Sequence, residues 1–103
     1  KATANSKPSW FGFPLTIKSN SKINRHHLVN YLEENGISTR LLFGGNIIKQ
    51  PYMLKQEYRV VGDLSISNRI MKNSFWIGIY PGLRKKHLLH TYKTLEKYCE
   101  LYS

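Results

Sequence analysis

Near the C-terminus the residues Leu88, Tyr92, Leu95, Cys99 and Tyr102 step by 4, 3, 4 and 3. That spacing sets all five on one face of an α-helix. A one-faced helix is marginal alone in water and needs a second layer over its stripe. Three short apolar runs can supply that layer as strands. Residues 10–17 (WFGFPLTI) alternate, with Phe11, Phe13, Leu15 and Ile17 on one face and Trp10, Gly12, Pro14 and Thr16 on the other. Pro14 cannot donate to a ladder, so this strand is expected at a sheet edge. Residues 37–43 (ISTRLLF) and 75–80 (FWIGIY) read as the other two strands.

Helical signals fall between them. Asn24 suits an N-cap, and Ile23 and Leu28 have the spacing of a hydrophobic staple. A helix is expected from about Arg25 to Asn35, with Leu28, Val29 and Leu32 buried and Gly36 as the stop. Gly44-Gly45-Asn46 breaks the second strand. Residues 47–57 predict one short helical turn before Pro51 and then a loop, and Tyr58–Val61 a short extended piece. Asp63 can cap a helix over 64–73 with Leu64, Ile70 and Met71 inward. Pro81-Gly82 turns the chain into the last helix, which is expected to run to the end. The order β-α-β-α-β-α predicts an α+β domain: a three-stranded, mostly antiparallel sheet with helices packed on one face. Residues 1–9 (KATANSKPS) are polar and read as a linker.

At 103 residues, with 41% hydrophobic and 13% aromatic residues, the chain has length for one core and is too apolar for a disordered tail. No apolar run approaches the ~18 residues of a membrane span. A single cysteine excludes an internal disulfide, and a thiolate-rich zinc site or an iron–sulfur cluster held by this chain alone. It fits a reducing compartment. The first residue is Lys1, so a processed or trimmed piece of something longer is the expectation. The net charge of +10 suggests an anionic partner. The excess is spread nearly evenly, however, and Arg84-Lys85-Lys86 is the one dense run. A spread excess reads first as a solvated surface.

Individual constellations weigh unevenly. Phe11-Gly12-Phe13 matches three of the seven fixed positions of the RNA-recognition strand motif, but Ser9, Trp10 and Pro14 break it. Nucleic acid is therefore not the expected partner, and a free-standing basic nucleic-acid-binding module is kept only as an alternative. His26-His27 and the pair His87 and His90 lack a companion cluster, so they read as exposed helix histidines and no metal site is expected. Cys99 lies on the apolar stripe and reads as a packed thiol rather than a nucleophile. No nucleophile elbow and no Gly-rich phosphate loop occurs. Thr39-Arg40-Leu41-Leu42-Phe43-Gly44-Gly45-Asn46 is more suggestive. Arginine gives planar recognition of phosphate or carboxylate, and glycines let a backbone approach a ligand. The residues leave two readings open: an anion or sugar contact, or a surface charge followed by a turn.

The ordered series WFGFPLTI (10–17), LVNYLEENGISTRLLFGGN (28–46), QPY (50–52), YRVVGDL (58–64), NRIM (68–71) and FWIGIYPGL (75–83) resembles the C-terminal domain of the sugar aminotransferase/dehydratase family. The resemblance covers nearly the whole chain from Trp10 on. Within the family it is nearest to the CDP-4-keto-6-deoxyglucose 3-dehydratases of 3,6-dideoxyhexose and lipopolysaccharide synthesis. It implies a fold type I enzyme of the pyridoxal phosphate class, cytoplasmic and homodimeric. Residues 1–9 would then link from a missing large domain, and 10–103 would be the small C-terminal domain. In the dehydratases the cofactor is pyridoxamine phosphate, and a histidine replaces the usual Schiff-base lysine. The pyridine ring is the electron sink for loss of the C3 hydroxyl. The CDP branch adds a 2Fe–2S cluster and a separate reductase.

The resemblance places the base histidine, the carboxylate facing the pyridine nitrogen and the cluster cysteines in the large domain. It therefore implies no catalytic and no cofactor-binding residue here, and an inactive fragment when the chain stands alone. It implies substrate contact instead. Thr39, Arg40, Gly45 and Asn46 match the T-R-x-x-x-x-G-N pattern, with Gln50 following. Arg40 would face the diphosphate or anchor near the cofactor pocket, and Asn46 and Gln50 would bond sugar or backbone. Tyr52 and Trp76 would mainly pack. A sugar aminotransferase of the same family is the other reading. One departure stands out: Arg84-Lys85-Lys86 follows PGL where the family places a Thr or Ser cap and acidic residues. Cations at a helix N-terminus oppose the macrodipole by about 0.3–1 kcal/mol each.

Overall fold

The structure, a computed structural model, describes residues 1–102. Its first helix, α1 (Arg25–Glu34), is set by local signals at both ends. The Asn24 side chain accepts the His26 and His27 N–H groups at 2.8 and 3.2 Å. At the other end Gly36 takes φ +75°. The Gly36 N–H donates to Glu33 O and the Ile37 N–H to Leu32 O, the paired bonds of a Schellman stop. Ile37 and Leu32 are both buried, which adds the apolar contact of that motif. Leu28 is also buried and Val29 half-buried, as the spacing predicts.

The strands β1 (Gly12–Thr16), β2 (Thr39–Leu41) and β3 (Ser74–Gly78) form one sheet in the order β1-β3-β2. Both pairings are antiparallel, so the sheet is antiparallel throughout. β1 lies at an edge, where Pro14 opposes Trp76 without a donor of its own. The core gathers on one face: Phe75 of β3 with Leu28, Leu32 and Ile37, packed by Leu15, Ile17 and Ile77. Helix α2 (Ser65–Asn73) runs straight into β3, and helix α3 (Lys85–Tyr102) crosses α1 over the core face. This is the expected α+β arrangement. The last residue of the expected run to 103 lies outside the described residues.

The buried face of α3 is not the one the stripe predicts. Leu88 and Tyr92 are each 59% exposed, and Cys99 is exposed as well. Burial falls instead on Thr94 and Tyr98, flanked by half-buried His87, Thr91 and Leu95. The helix is thus rotated by one residue, about 100°. The cause lies in side chains that a polarity pattern discounts. Thr91 and Thr94 return their hydroxyls to His87 O and His90 O at 3.1 and 2.9 Å. Their methyl groups can then face the core with no polar group left unmatched. Tyr98 is 1% exposed, and its hydroxyl meets His27 Nδ1 at 2.7 Å. Burial pushes the Tyr98 phenol pKa up, with Tyr102 adding to it. At the opposite end of α1, His90 Nε2 donates to Asn35 O at 2.9 Å. Two histidines therefore fasten α1 to α3, one near each end of α1.

Other boundaries shift for stated reasons. Phe11 and Phe13, expected on one face with Leu15 and Ile17, are exposed while those two pack against the core. The ladder begins only at Gly12, and the Phe11 ring stands edge-on to Trp76 at 5.2 Å instead. β2 ends at Leu41 because Phe43 takes φ +50°, which no ladder accommodates. After the turn Ile47–Lys49, Pro51 opens a second 3₁₀ turn over Pro51–Lys55 where a loop was expected. α2 starts at Ser65, whose N–H donates to Asp63 Oδ1 at 3.0 Å. That bond holds the Asp63 carboxyl below the usual carboxylate range. Tyr58–Val61 joins no ladder.

Candidate functional site

β2 delivers the chain into a loop, residues 42–50, that is fixed from several sides. The Phe43 N–H donates to Leu41 O at 2.8 Å, and the Gly45 N–H to Leu42 O at 3.1 Å. Gln50 Nε2 reaches back to Gly44 O at 2.6 Å. Gly45 has φ +61° and presses on α2: a Cβ there would stand 2.3 Å from Met71 Cγ. Only glycine meets both demands. Asn46, 3% exposed, caps the following turn through the Ile48 N–H and donates to Asn68 Oδ1 of α2 at 2.9 Å. Phe43 is the strained member. A left-handed backbone costs a bulky residue about 1–2 kcal/mol, yet its ring is 80% exposed and returns little burial.

Two cavities flank this loop and meet at Leu42 and Phe43. The first, of about 310 Å³, is lined by Arg25, Leu41, Gly44, Gly45, Gln50, Met71 and Lys72 as well. It is cationic, with no carboxylate in its lining. The second, of about 240 Å³, lies on the open face of the sheet between Trp10, Phe11, Gly12, Pro14 and Trp76. Gly12 has a packing role there: a Cβ would stand 2.4 Å from Trp76 Cε3, so its absence lets the indole lie against β1. Trp76 Nε1 donates to Leu41 O at 3.3 Å, which ties the indole to the start of the loop.

The five residues singled out from the sequence divide between these settings. Gly45 and Gln50 line the cationic cavity. Thr39 is buried, and its N–H and hydroxyl both donate to Glu33 Oε1, at 2.5 and 2.7 Å. Those bonds, with Arg40 nearby, hold the Glu33 carboxyl below the usual carboxylate range. Asn46 spends its side chain on the cap and on Asn68. Arg40 is exposed opposite Trp76 on the open face of the sheet, with Nη1 donating to Thr39 O at 2.8 Å. It does not line the cationic cavity. Arg25 and Lys72 do, and sequence reasoning missed both. Arg25 did leave a signal. A cation in the first turn of α1 works against the helix dipole by about 0.3–1 kcal/mol, so helix formation does not account for it.

The run Arg84-Lys85-Lys86 gains a partial account. His87 Nδ1 accepts the Arg84 N–H at 3.0 Å, while the His87 N–H donates to Arg84 O. An imidazole thus supplies the reciprocal cap that the sequence lacks as an oxygen. Tyr92 donates to Glu96 at 2.6 Å, which raises the phenol pKa. Among the described residues no group of three or more His, Cys, Asp or Glu is placed to hold a metal ion. No helix among them is long and apolar enough to cross a membrane.

A family model matches residues 1–96, nearly the whole fold just described. The chain belongs to the DegT/DnrJ/EryC1/StrS aminotransferase family. It is 53% identical over 98 residues to the lipopolysaccharide biosynthesis protein RfbH of Salmonella typhimurium, covering 95% of this chain and 22% of that protein. It is 39% identical over 97 residues to a dTDP-4-dehydro-2,6-dideoxy-D-glucose 3-dehydratase of Saccharopolyspora spinosa, covering 94% and 21%. Among solved structures it resembles a GDP-4-keto-6-deoxymannose-3-dehydratase with a trapped PLP-glutamate geminal diamine, with TM-score 0.66 and 30% identity over 80% of this chain and 22% of that one. A variant of that enzyme with bound GDP-perosamine gives TM-score 0.67 and 27% identity, over 81% and 21%. The family resemblance read from the sequence is borne out. The chain spans about a fifth of the length of these relatives.

Proposed function

We propose that this chain is the C-terminal domain of a pyridoxamine-phosphate-dependent nucleotide-sugar 3-dehydratase. Residues 1–9 link to a large domain, and 10–103 form the small domain. The observation that carries the reading is the fixed loop 42–50, set between a cationic and an aromatic cavity, in a chain whose relatives are 3-dehydratases of nucleotide sugars. Identity to a lipopolysaccharide biosynthesis protein, RfbH, favours a place in lipopolysaccharide synthesis, and the resemblance of the motif series points to CDP-4-keto-6-deoxyglucose, of 3,6-dideoxyhexose synthesis, as the substrate. A cytoplasmic homodimer, with a 2Fe–2S cluster and a separate reductase in the full-length enzyme, goes with that substrate.

The cofactor does not fit this chain by itself. Neither cavity offers a carboxylate to meet a pyridine nitrogen. We derive no step through it from these residues, whose work is binding and orientation. Gln50 stiffens the loop through Gly44 O. Thr39 and Asn46 hold the two ends of the segment in place. Gly45 brings the backbone against α2 and opens the cationic cavity beside it. Arg40 projects from the rigid strand as a cation toward the diphosphate or as an anchor near the cofactor pocket. The test uses the full-length protein carrying Arg40→Ala. The reading expects KM for the CDP-4-keto sugar to rise about tenfold or more, the cost of one charge-assisted contact. Unchanged KM and kcat would remove Arg40 from the site.

A further inference from the structure

The one buried ionisable side chain among the described residues lies in the helical layer, away from the loop 42–50. Tyr98 of α3 is 1% exposed, and its hydroxyl meets His27 Nδ1 of α1 at 2.7 Å. Filling a core asks only for a phenyl ring; a hydroxyl adds a donor that must be matched. Burial pushes the Tyr98 pKa up, so the phenol keeps its proton at neutral pH. That proton needs an acceptor, and the lone pair of a neutral His27 Nδ1 supplies it. The match is therefore a base. His27 is exposed, so a proton that reaches the imidazole can pass on to water. Two more phenols adjoin the pair. The Tyr102 ring lies at a centroid distance of 4.8 Å from Tyr98, and the Tyr31 ring at 5.1 Å. Tyr102 also meets the His27 ring at 4.6 Å and is 44% exposed. Contacting rings thus run from the core to the surface between α1 and α3.

We propose that Tyr98 and His27 form a proton-coupled redox pair, with Tyr102 as its port to the surface, which takes up oxidising equivalents from outer-sphere one-electron oxidants. One electron leaves Tyr98 by way of Tyr102 and reduces the oxidant by one electron. The Oη–H bond of Tyr98 breaks, and its proton moves to His27 Nδ1. A neutral tyrosyl radical then faces an imidazolium. One electron from a thiol or a reduced flavin, with the proton returned from His27, restores the pair. Loss of an electron turns a phenol into a strong acid, so the oxidation is easy only where a base already stands within hydrogen-bond reach of the hydroxyl. Tyr92 also has a base, with Glu96 accepting its hydroxyl at 2.6 Å, but it is 59% exposed and a radical there would meet solvent at once. Tyr98 combines the base with a shielded ring. The pair stands independently of the nucleotide-sugar reading.

The probe is photogenerated ruthenium(III) tris-bipyridine, an outer-sphere one-electron oxidant. The protein is flashed in its presence and followed by transient absorption and by EPR of freeze-quenched samples. Wild type is expected to give a tyrosyl radical whose rise is slower in heavy water than in ordinary water. Tyr98→Phe, which keeps the ring and removes the hydroxyl, is expected to lose most of that signal. His27→Gln, which keeps a hydrogen-bond acceptor and removes the base, should slow radical formation about tenfold or more. Tyr102→Phe should slow the rise and leave the radical at Tyr98, and Tyr92→Phe should leave both unchanged. Circular dichroism of each variant should match wild type. A signal that survives Tyr98→Phe, or one lost with Tyr102 or Tyr92 instead, overturns the proposal. So does a rate untouched by His27→Gln or by heavy water. Those last two measurements are made on the Tyr98 phenol itself, so they decide the matter even where Tyr98→Phe does not fold.

Discussion

Replacing Tyr98 by alanine is expected to unfold most of what α3 contributes. Tyr98 is 1% exposed and packs its ring against His27, Tyr31 and Tyr102 at centroid distances of 5.5, 5.1 and 4.8 Å. Truncating a buried aromatic costs about 3–5 kcal/mol through lost transfer energy and the cavity left behind. A domain of this size holds about 5–15 kcal/mol in all. The substitution should therefore lower Tm by about 12 °C or more, at ~4–8 °C per kcal/mol. Leu88→Ala, on the stripe that periodicity favours, should stay within about 0.5 kcal/mol because Leu88 is 59% exposed. Tyr98→Phe isolates the hydroxyl and its bond to His27, and should cost about 1 kcal/mol. Urea unfolding followed by far-UV circular dichroism gives all three values from midpoints at constant slope. A loss for Leu88→Ala equal to or larger than that for Tyr98→Ala would refute the rotation of α3.

Three further outcomes follow from named contacts. Gly45→Ala combines a left-handed backbone with a Cβ driven into Met71, and should cost about 2–4 kcal/mol by urea midpoint; a cost under 0.5 kcal/mol would show that the loop does not bear on α2. The Glu33 carboxyl is held below its unfolded value by Thr39, so its stabilising effect is full above that unfolded value and is lost as pH falls through the folded one. Wild type should accordingly be more stable than Glu33→Gln at pH 7 and converge with it on acidification toward pH 2; an advantage that grows in acid would contradict the clamp. His87→Ala removes the acceptor for the Arg84 N–H and should cost about 0.5–1 kcal/mol, with faster amide exchange confined to the first turn of α3.

Legibility in the sequence tracked how local each signal was. Asn24 and Gly36 fix α1 through bonds to residues within five positions, and both ends were readable. Pro14 told its strand's place because a missing donor matters in any sheet interior. The face of α3 was not readable, because two overlapping stripes compete. The apolar one is richer in leucine and tyrosine, and the winning one contains Thr91 and Thr94. Those hydroxyls count as polar until they are seen bonded to their own helix. In the candidate site, Gly45 and Gln50 were placed by pattern and do line a cavity. Lys72 was invisible because its neighbours across the cavity are far away in sequence. Phe43 gave no sign of its backbone, since nothing in a phenylalanine announces a positive φ. Arg25 was the missed opportunity: a cation where a helix prefers an anion asks for another reason to be there.

The histidines also changed meaning. Read as exposed helix residues, three of the four bond specific partners: His27 to Tyr98, His87 to Arg84 and His90 to Asn35. They build the frame behind the sheet, while the open face and the loop 42–50 carry the substrate-facing chemistry proposed for this domain. The most direct measurement is the mass and NMR spectrum of the product made by the full-length protein from CDP-4-keto-6-deoxyglucose with pyridoxamine phosphate and a reductant. A 3-deoxy sugar, with C3 bearing two hydrogens and no amino group at C4, is the predicted result. A 4-amino sugar that keeps its C3 hydroxyl would contradict it and make the parent an aminotransferase.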